Sequence, residues 1–464
     1  MVVVQASKIN LPTPSSLYYP QTTSFLFEPH SLSLALMHSD SSFSLFSSLS
    51  FPLLSLPQAL TIPSPSSSSS FLLLQETQED PNPRVLFIVG GPHKGTSKVL
   101  LRFYLLRNNE SKVFDRAKVV SKQKGIDFDD KVGVLLDVNH GMKISIVGSV
   151  NFFALYSLSD AKVLIFGVKL VGDDDAVAVK LMRCAVIECC RPVFSMSISF
   201  GWLILGEENG VRVIDLRGLV KGKTRRVKNL ASKEKLLNVS NSLIRDGDDF
   251  GGSSSEIPCN GSLDGKIEKH CVSGTSFCPG SGATHIKQAK LRSIKYIQET
   301  DESGACFVAF KEKEVKGLES TALPKMSVKT ISIQALSPKK FLILDSSGEL
   351  CILNVHKTAV GFNISCQLRQ LPQSLKVQKL AVFPEMSSRI QTIWISDGYQ
   401  SVQMMDIDTT YNEDDGSESE GKLMQTSVSQ AIFTSEKVQD MIPTAAKSIL
   451  ILGQARSLYA YAVS

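Results

Sequence analysis

The segment IVGGPHKGTSK, residues 88–98, follows an apolar run and has the glycine spacing of a phosphate-binding loop. Such a loop needs glycines so that backbone N–H groups can approach the phosphates. It also needs a Lys directly after the second glycine, followed by Ser or Thr. Gly90 and Gly95 are suitably spaced, but Thr96 stands where the Lys is required, and VLLRFYLL beyond it suits a strand better than a helix. The segment reads as a hairpin loop. Cys259, His270, Cys271, Cys278 and His285 fall within 27 residues and are zinc-ligand types, yet they lack the close Cys-x-x-Cys pair of structural sites. Cys184, Cys189 and Cys190 read as small apolar side chains. His93, His140 and His356 connect to no nucleophile or carboxylate, and there is no nucleophile elbow, zinc-protease helix or kinase set. The expectation is a non-enzyme without metal or cofactor. A channel-centred enzyme site, assembled from distant segments, would be invisible at this level.

The remaining candidate is electrostatic. Lys221, Lys223, Arg225, Arg226 and Lys228 crowd into KGKTRRVKNLASKEK. A basic run of this kind serves as a nuclear localisation signal or touches nucleic-acid phosphates, and many such runs are solvated linkers. No aromatic residue that could stack on a base lies within it, which weakens the nucleic-acid reading. A second polar stretch, TTYNEDDGSESEGK at 409–422, is acidic, with Ser417 and Ser419 set among carboxylates. It reads as a solvated acidic loop.

The elements that must position these residues are short strands. In KKFLILDSSGELCILNV, residues 339–355, Phe341 to Leu344 is too short an apolar run for a helix and suits a strand buried on both faces. Asp345, Ser346, Ser347 and Gly348 supply turn chemistry, and Leu350 to Val355 resumes as a second strand. The same hairpin recurs at 32–51, 84–106, 151–170, 201–216, 390–407 and 448–464, with ACFVAFKEKEVKGL at 305–318 as a weaker eighth candidate. Most have a further strand-like segment ahead of them, such as MKISIVGS, FSMSISF and KTISIQALS. A small sheet that is apolar on both faces must stack between copies of itself, and radial stacking makes a β-propeller. A sandwich is the competitor, but its strands alternate more cleanly between wet and buried faces.

The expected fold is therefore all-β, a single propeller of seven blades, or eight if the weak candidates count. Residues 1–20 read as a tail, and 21–220 as the first set of blades. Residues 221–288 read as a disordered insertion, basic and then Gly/Ser-rich, placed between two blades. Residues 289–464 read as the second set of blades.

The repeated strand, Asp-Gly or Ser-Gly turn, strand and closing Asp or Asn, as at Asp215, Asn354 and Asp406, resembles the WD-repeat family. The resemblance spans nearly the whole chain. The family's Gly-His and Trp-Asp pairs are missing: Trp202 is followed by Leu203 and Trp394 by Ile395.

The chain has 464 residues with 43% hydrophobic and 20% charged, which are globular values. The net charge of +5 is small for a protein that wraps nucleic acid over its whole surface. Nine irregularly spaced cysteines argue against a disulfide framework and for a reducing compartment. No apolar stretch has the roughly 18 to 20 residues of a membrane helix. The Ser-rich start resembles a transit peptide, but Lys8 is its only Lys or Arg before Arg84, so nucleus or cytoplasm is expected over chloroplast. The expected function is a protein–protein interaction scaffold within a larger complex, with other proteins as partners. The alternatives are an RNA- or chromatin-associated propeller using the 221–235 run, and the channel-centred enzyme.

Overall fold

The computed structural model of the protein describes residues 4–9, 11, 20–50, 56–75, 83–107, 112–172, 177–221, 226–227, 299–301, 305–310, 327–357, 364–373, 375–383, 389–408, 426–455 and 457–463. Seven antiparallel-core sheets follow one another along the chain, and we number them as blades 1 to 7 by their first, innermost strand. Those inner strands are Thr22–Glu28, Ser68–Leu74, Ile144–Gly148, Ser195–Ser199, Thr330–Ser337, Lys379–Val382 and Val438–Ala445. Each touches the inner strand of the next blade, and the last touches the first, so they close a ring. The protein is a seven-bladed β-propeller, the fold that the resemblance implied.

Every blade carries one of the expected hairpins as its second and third strands. In blade 5, Lys340–Asp345 pairs with Leu350–Lys357 and then Ile364–Gln370. The turn forms because Asp345 Oδ1 accepts from Ser347 N at 2.8 Å and Glu349 N at 2.9 Å, while Gly348 adopts φ +86°. Those are the roles that short acidic and glycine residues play in tight turns. The second strands are buried on both faces: all six residues of Trp202–Glu207 are buried. Among the described residues, the buried side chains fall into seven hydrophobic clusters, each lying in the seam between two neighbouring blades. This explains why the strands do not alternate as in a sandwich.

Three expectations are corrected. Residues 1–20 are not simply a tail, because Val4–Ile9 pairs antiparallel with Leu458–Val463 and supplies the outer strand of blade 7. The ring is thus closed by strands from both ends of the chain. The weak eighth hairpin is not a blade: Ala305–Ala309 is the fourth strand of blade 4, paired with Gly210–Asp215. It follows that the 221–288 segment connects the third and fourth strands of one blade, not two successive blades.

Side chains also stitch inner strands that have no ladder partner on one edge. Ile146 N and Gly148 N of blade 3 donate to Ser68 Oγ and Ser70 Oγ of blade 2, each at 2.8 Å. Ser195 Oγ of blade 4 donates to Thr330 O of blade 5 at 2.9 Å. At the closing seam, Phe25 N donates to Asp440 Oδ2 at 3.2 Å and Gln439 Nε2 donates to Thr23 O at 2.9 Å. Burial pushes the Asp440 carboxyl above its usual range, against the pull of Phe25 N, Lys379 and Met441 N. Backbone groups at these edges are satisfied, as buried polar groups must be.

His38, buried at the end of the second strand of blade 1, has Nε2 at 2.8 Å from Ser44 Oγ and Nδ1 at 3.5 Å from Thr22 Oγ1. Burial lowers its pKa from 6.5, and nearby Asp40 only partly offsets that. The unfolded chain therefore binds this proton more readily than the native one, so the stability it contributes is present above pH 6.5 and is lost as pH falls through the lowered value. The difference in urea midpoint between the native chain and His38→Gln should shrink from pH 7.5 to pH 5. Parallel curves at both pH values would contradict a buried neutral imidazole.

Candidate interaction face

The chain alternates direction through each blade, which sorts its connections onto two faces. One face, termed upper here, carries the turns between second and third strands and the links that lead into the next inner strand. Among the described residues, every exposed aromatic or methionine side chain with a large exposed area lies there. Met142 (82% exposed) is in the link from blade 2 to blade 3, and Phe194 precedes the inner strand of blade 4. Tyr399 (57%) is in the second turn of blade 6, and Phe433 (79%) ends that blade's outer strand. Two of them carry a cation: Lys329 Nζ is 5.1 Å from the Phe194 ring and Lys437 Nζ is 5.4 Å from the Tyr399 ring. Such pairs are favourable even at exposed sites.

Beside this set lies a wide-open depression of about 540 Å³, lined by Glu349, Gln370, Leu371, Pro372, Gln373, Leu375 and Lys376. Gln373 Oε1 is buried there without a hydrogen-bond partner. An acceptor left in that state invites a donor from outside. The depression belongs to blade 5 alone, since its walls are the 346–349 turn and the link that leaves that blade.

The residues singled out in the sequence are placed as follows. Gly90 and Gly91 lie inside the second strand of blade 2, and a Cβ at Gly91 would overlap the carbonyl oxygen of Pro65. Close backbone approach, not phosphate binding, accounts for that glycine. His93 sits 3.1 Å from Thr96 through Nδ1, and His140 Nε2 is 2.9 Å from Ser67 Oγ. His356 is the penultimate residue of the third strand of blade 5, with no tie to either. Cys184 and Cys189 are half-buried and Cys190 is exposed, all three as free thiols. Burial pushes the Cys189 thiol up to about 12, and the nearby Glu207 adds to it. That thiol is a poor nucleophile at neutral pH. Cys259, His270, Cys271, Cys278 and His285 lie outside the described residues, as do the acidic 409–422 loop and Lys223, Arg225 and Lys228. Lys221 ends a short helix, Leu216–Lys221, and Arg226 opens a two-residue strand, Arg226–Val227, which pairs in parallel with Val186–Ile187 of blade 3.

The upper-face side chains were not singled out from the sequence, and no local signal marks them. Each lies in a connection or at a strand end, and scattered exposed apolar residues of that kind are ordinary.

No protein-family model matches this sequence, and no curated protein sequence matches it. Solved structures do. The crystal structure of the WD40 repeats of RRP9 aligns with a TM-score of 0.42 at 7% identity, covering 99% of this chain and 97% of that one. The beta-propeller domain of Cps50 (Swd1) from Myceliophteria thermophila aligns at 0.42 and 8% identity, covering 97% and 98%. U3-55K aligns at 0.42 and 7%, covering 98% of each chain. The first of these is described by its WD40 repeats and the second as a beta-propeller domain. The fold itself rests on the strand pairing described above. Among the described residues no helix is long and apolar enough to cross a membrane.

Proposed function

We propose that this protein is a non-catalytic interaction scaffold of the nucleus or cytoplasm, and that the upper face of its propeller holds a protein partner within a larger assembly. The observation that carries this reading is the gathering of Met142, Phe194, Tyr399 and Phe433 on one face of a closed ring. Protein interfaces are enriched in aromatic residues and Met at their centres. A ring whose inner edges are stitched between blades holds loops in fixed relative positions, the arrangement on which binding residues usually sit. Lys329 and Lys437, above two of the rings, favour a partner surface that brings an apolar side chain flanked by carboxylates.

The test is a mild-crosslink purification of the tagged protein from its own cells, with and without nuclease. It is run beside the triple variant Met142→Asp, Tyr399→Asp, Phe433→Asp. Stoichiometric, nuclease-resistant partners are expected with the native chain, and their loss is expected with a variant whose melting temperature is unchanged. Partners retained in full by a well-folded variant would rule out this face. Partners that vanish with nuclease would shift the reading to the nucleic-acid assembly.

A further inference from the structure

Arg102, in the middle of the third strand of blade 2, Lys98–Leu106, is only 8% exposed. An arginine buried to that degree ordinarily faces a carboxylate, because taking its charge out of water is costly. Here, among the described residues, no carboxylate forms an ion pair with it. Arg102 Nη2 donates to Ser66 Oγ at 2.6 Å and to Pro65 O at 3.3 Å, both uncharged. The groups whose charge acts on it are Tyr104 and Arg116, so its ionised neighbour is a second cation. Nε and Nη1 make no hydrogen bond among the described residues, and neither is shut off from solvent.

The chain around this guanidinium is shaped to hold it. Gly91 lies two residues beyond Val89, the partner of Arg102, and a Cβ there would come within 2.4 Å of Pro65 O. Glycine at that position is what lets the link into blade 2 come down onto Arg102. Towards the rim the neighbour of Arg102 is Gly133, where a Cβ would lie 3.4 Å from Arg102 Cγ, so no side chain from that strand covers it. Tyr104, two residues on, shares the face of Arg102, and Arg116 stands directly opposite Tyr104 in the short strand Phe114–Arg116. That face is turned to blade 1, since Tyr104 packs in the seam with Phe43 and Phe87. Burial pushes the Tyr104 hydroxyl above its usual range, against the pull of Arg102 and Arg116, so it keeps its proton and donates. Arg116 is exposed and spends Nη1 on Lys131 O at 2.7 Å.

We propose that Arg102, Tyr104 and Arg116 bind an oxyanion of the phosphate class in the seam between blades 1 and 2. The buried charge of Arg102 is uncompensated within the chain, and a bound anion supplies what a carboxylate supplies elsewhere. The planar fork of a guanidinium matches the oxygens of a phosphoryl group, and the phenol O–H adds a further donor. Two cations suit the double charge of a phosphate monoester better than the single charge of a carboxylate. Free phosphate, a small phosphate ester and a phosphorylated side chain of a partner all present this group. None of the upper-face apolar side chains takes part, so the inference stands or falls separately from the scaffold reading.

The test is calorimetric titration of inorganic phosphate into the purified full chain at constant ionic strength, with acetate as the carboxylate control. Saturable binding at about 1 mM or tighter is expected for phosphate, and none for acetate. Arg116→Gln should bind about tenfold more weakly and Tyr104→Phe about fivefold, each with an unchanged melting temperature in phosphate-free buffer. Arg102→Lys keeps the charge but loses the fork, and should abolish saturation. It also disturbs the bond to Ser66, so the Arg116 and Tyr104 variants, which leave that bond intact, keep the test decisive if Arg102→Lys fails to fold. A fluorescein-labelled phosphoserine peptide that binds more tightly than free phosphate would assign the anion to a partner's modified side chain. Free phosphate that binds as tightly as the peptide would assign it to a small anion. Absence of saturable phosphate binding by the native chain would overturn the proposal, and so would native-like binding by both Arg116→Gln and Tyr104→Phe.

Discussion

A chain lacking residues 1–9 should lose its closed ring and melt far below the full-length protein. Among the described residues, Val4–Ile9 is the only partner of the outward edge of Leu458–Val463, joined through six residue pairs from Val4–Val463 to Ile9–Leu458. Ile9, 1% exposed, enters the seam between blades 7 and 1 beside Phe25, Leu34, Phe46 and Leu458. Burying a side chain of that size is worth about 1.5–3 kcal/mol, and each ladder bond contributes about 1 kcal/mol net. The loss is on the order of 5 kcal/mol, which approaches the entire stability of many domains. The truncated protein would also expose an unpaired apolar strand edge, a template for aggregation. Circular-dichroism melting checks this, and a synthetic peptide of residues 1–11 added in excess should recover part of the lost transition. An unchanged melting temperature would mean that the terminal strand does not hold the ring shut.

The second large effect is expected at Trp394, which is fully buried in the second strand of blade 6, in the seam with blade 7. Its Nε1–H has no hydrogen-bond partner. Trp394→Ala leaves a large cavity and should cost about 3–5 kcal/mol. Trp394→Phe keeps most of the apolar contact and removes a buried unsatisfied donor, whose desolvation costs about 1–3 kcal/mol. The two terms oppose each other, so the Phe variant should fall within about 1.5 kcal/mol of the native chain. With two tryptophans in the chain, the fluorescence of Trp202 alone reports urea unfolding of either variant. Trp202 is also buried, with Lys357 Nζ 5.2 Å from its ring, so its emission should change on unfolding. A Phe variant as damaged as the Ala variant would show that the indole N–H makes a bond worth keeping.

The hairpins were legible along the chain because both of their signals are local. Phe341 to Leu344 followed by Asp345, Ser347 and Gly348 carries strand and turn chemistry within ten residues, and the structure uses each in the role its type suggests. Strands without alternation implied burial on both faces, and hence stacked blades. The closing strand was not legible for the opposite reason. Val4–Ile9 is an edge strand whose side chains are mostly exposed, so its sequence VQASKI shows no apolar pattern. Its partner lies more than 440 residues away. The short strand at Ala305–Ala309 misled in a related way: it looks like the first half of a hairpin running on to 318, but its ladder partners are Glu299–Asp301 just before it and Gly210–Asp215 ahead of the long insertion.

The sites divide along the same line. The basic run at 221–228 is visible because like charges cluster in sequence, while the pairing of Arg226–Val227 with Val186–Ile187 is one that no local pattern encodes. Met142, Phe194, Tyr399 and Phe433 come from connections scattered over nearly 300 residues. By itself the amino-acid sequence determined the unit, since apolar periodicity and turn chemistry act between near neighbours. Only the tertiary structure decided which units meet at the closing seam and which face carries the exposed rings. Those contacts join residues far apart in the chain, and their free energy exists only once the ring has closed.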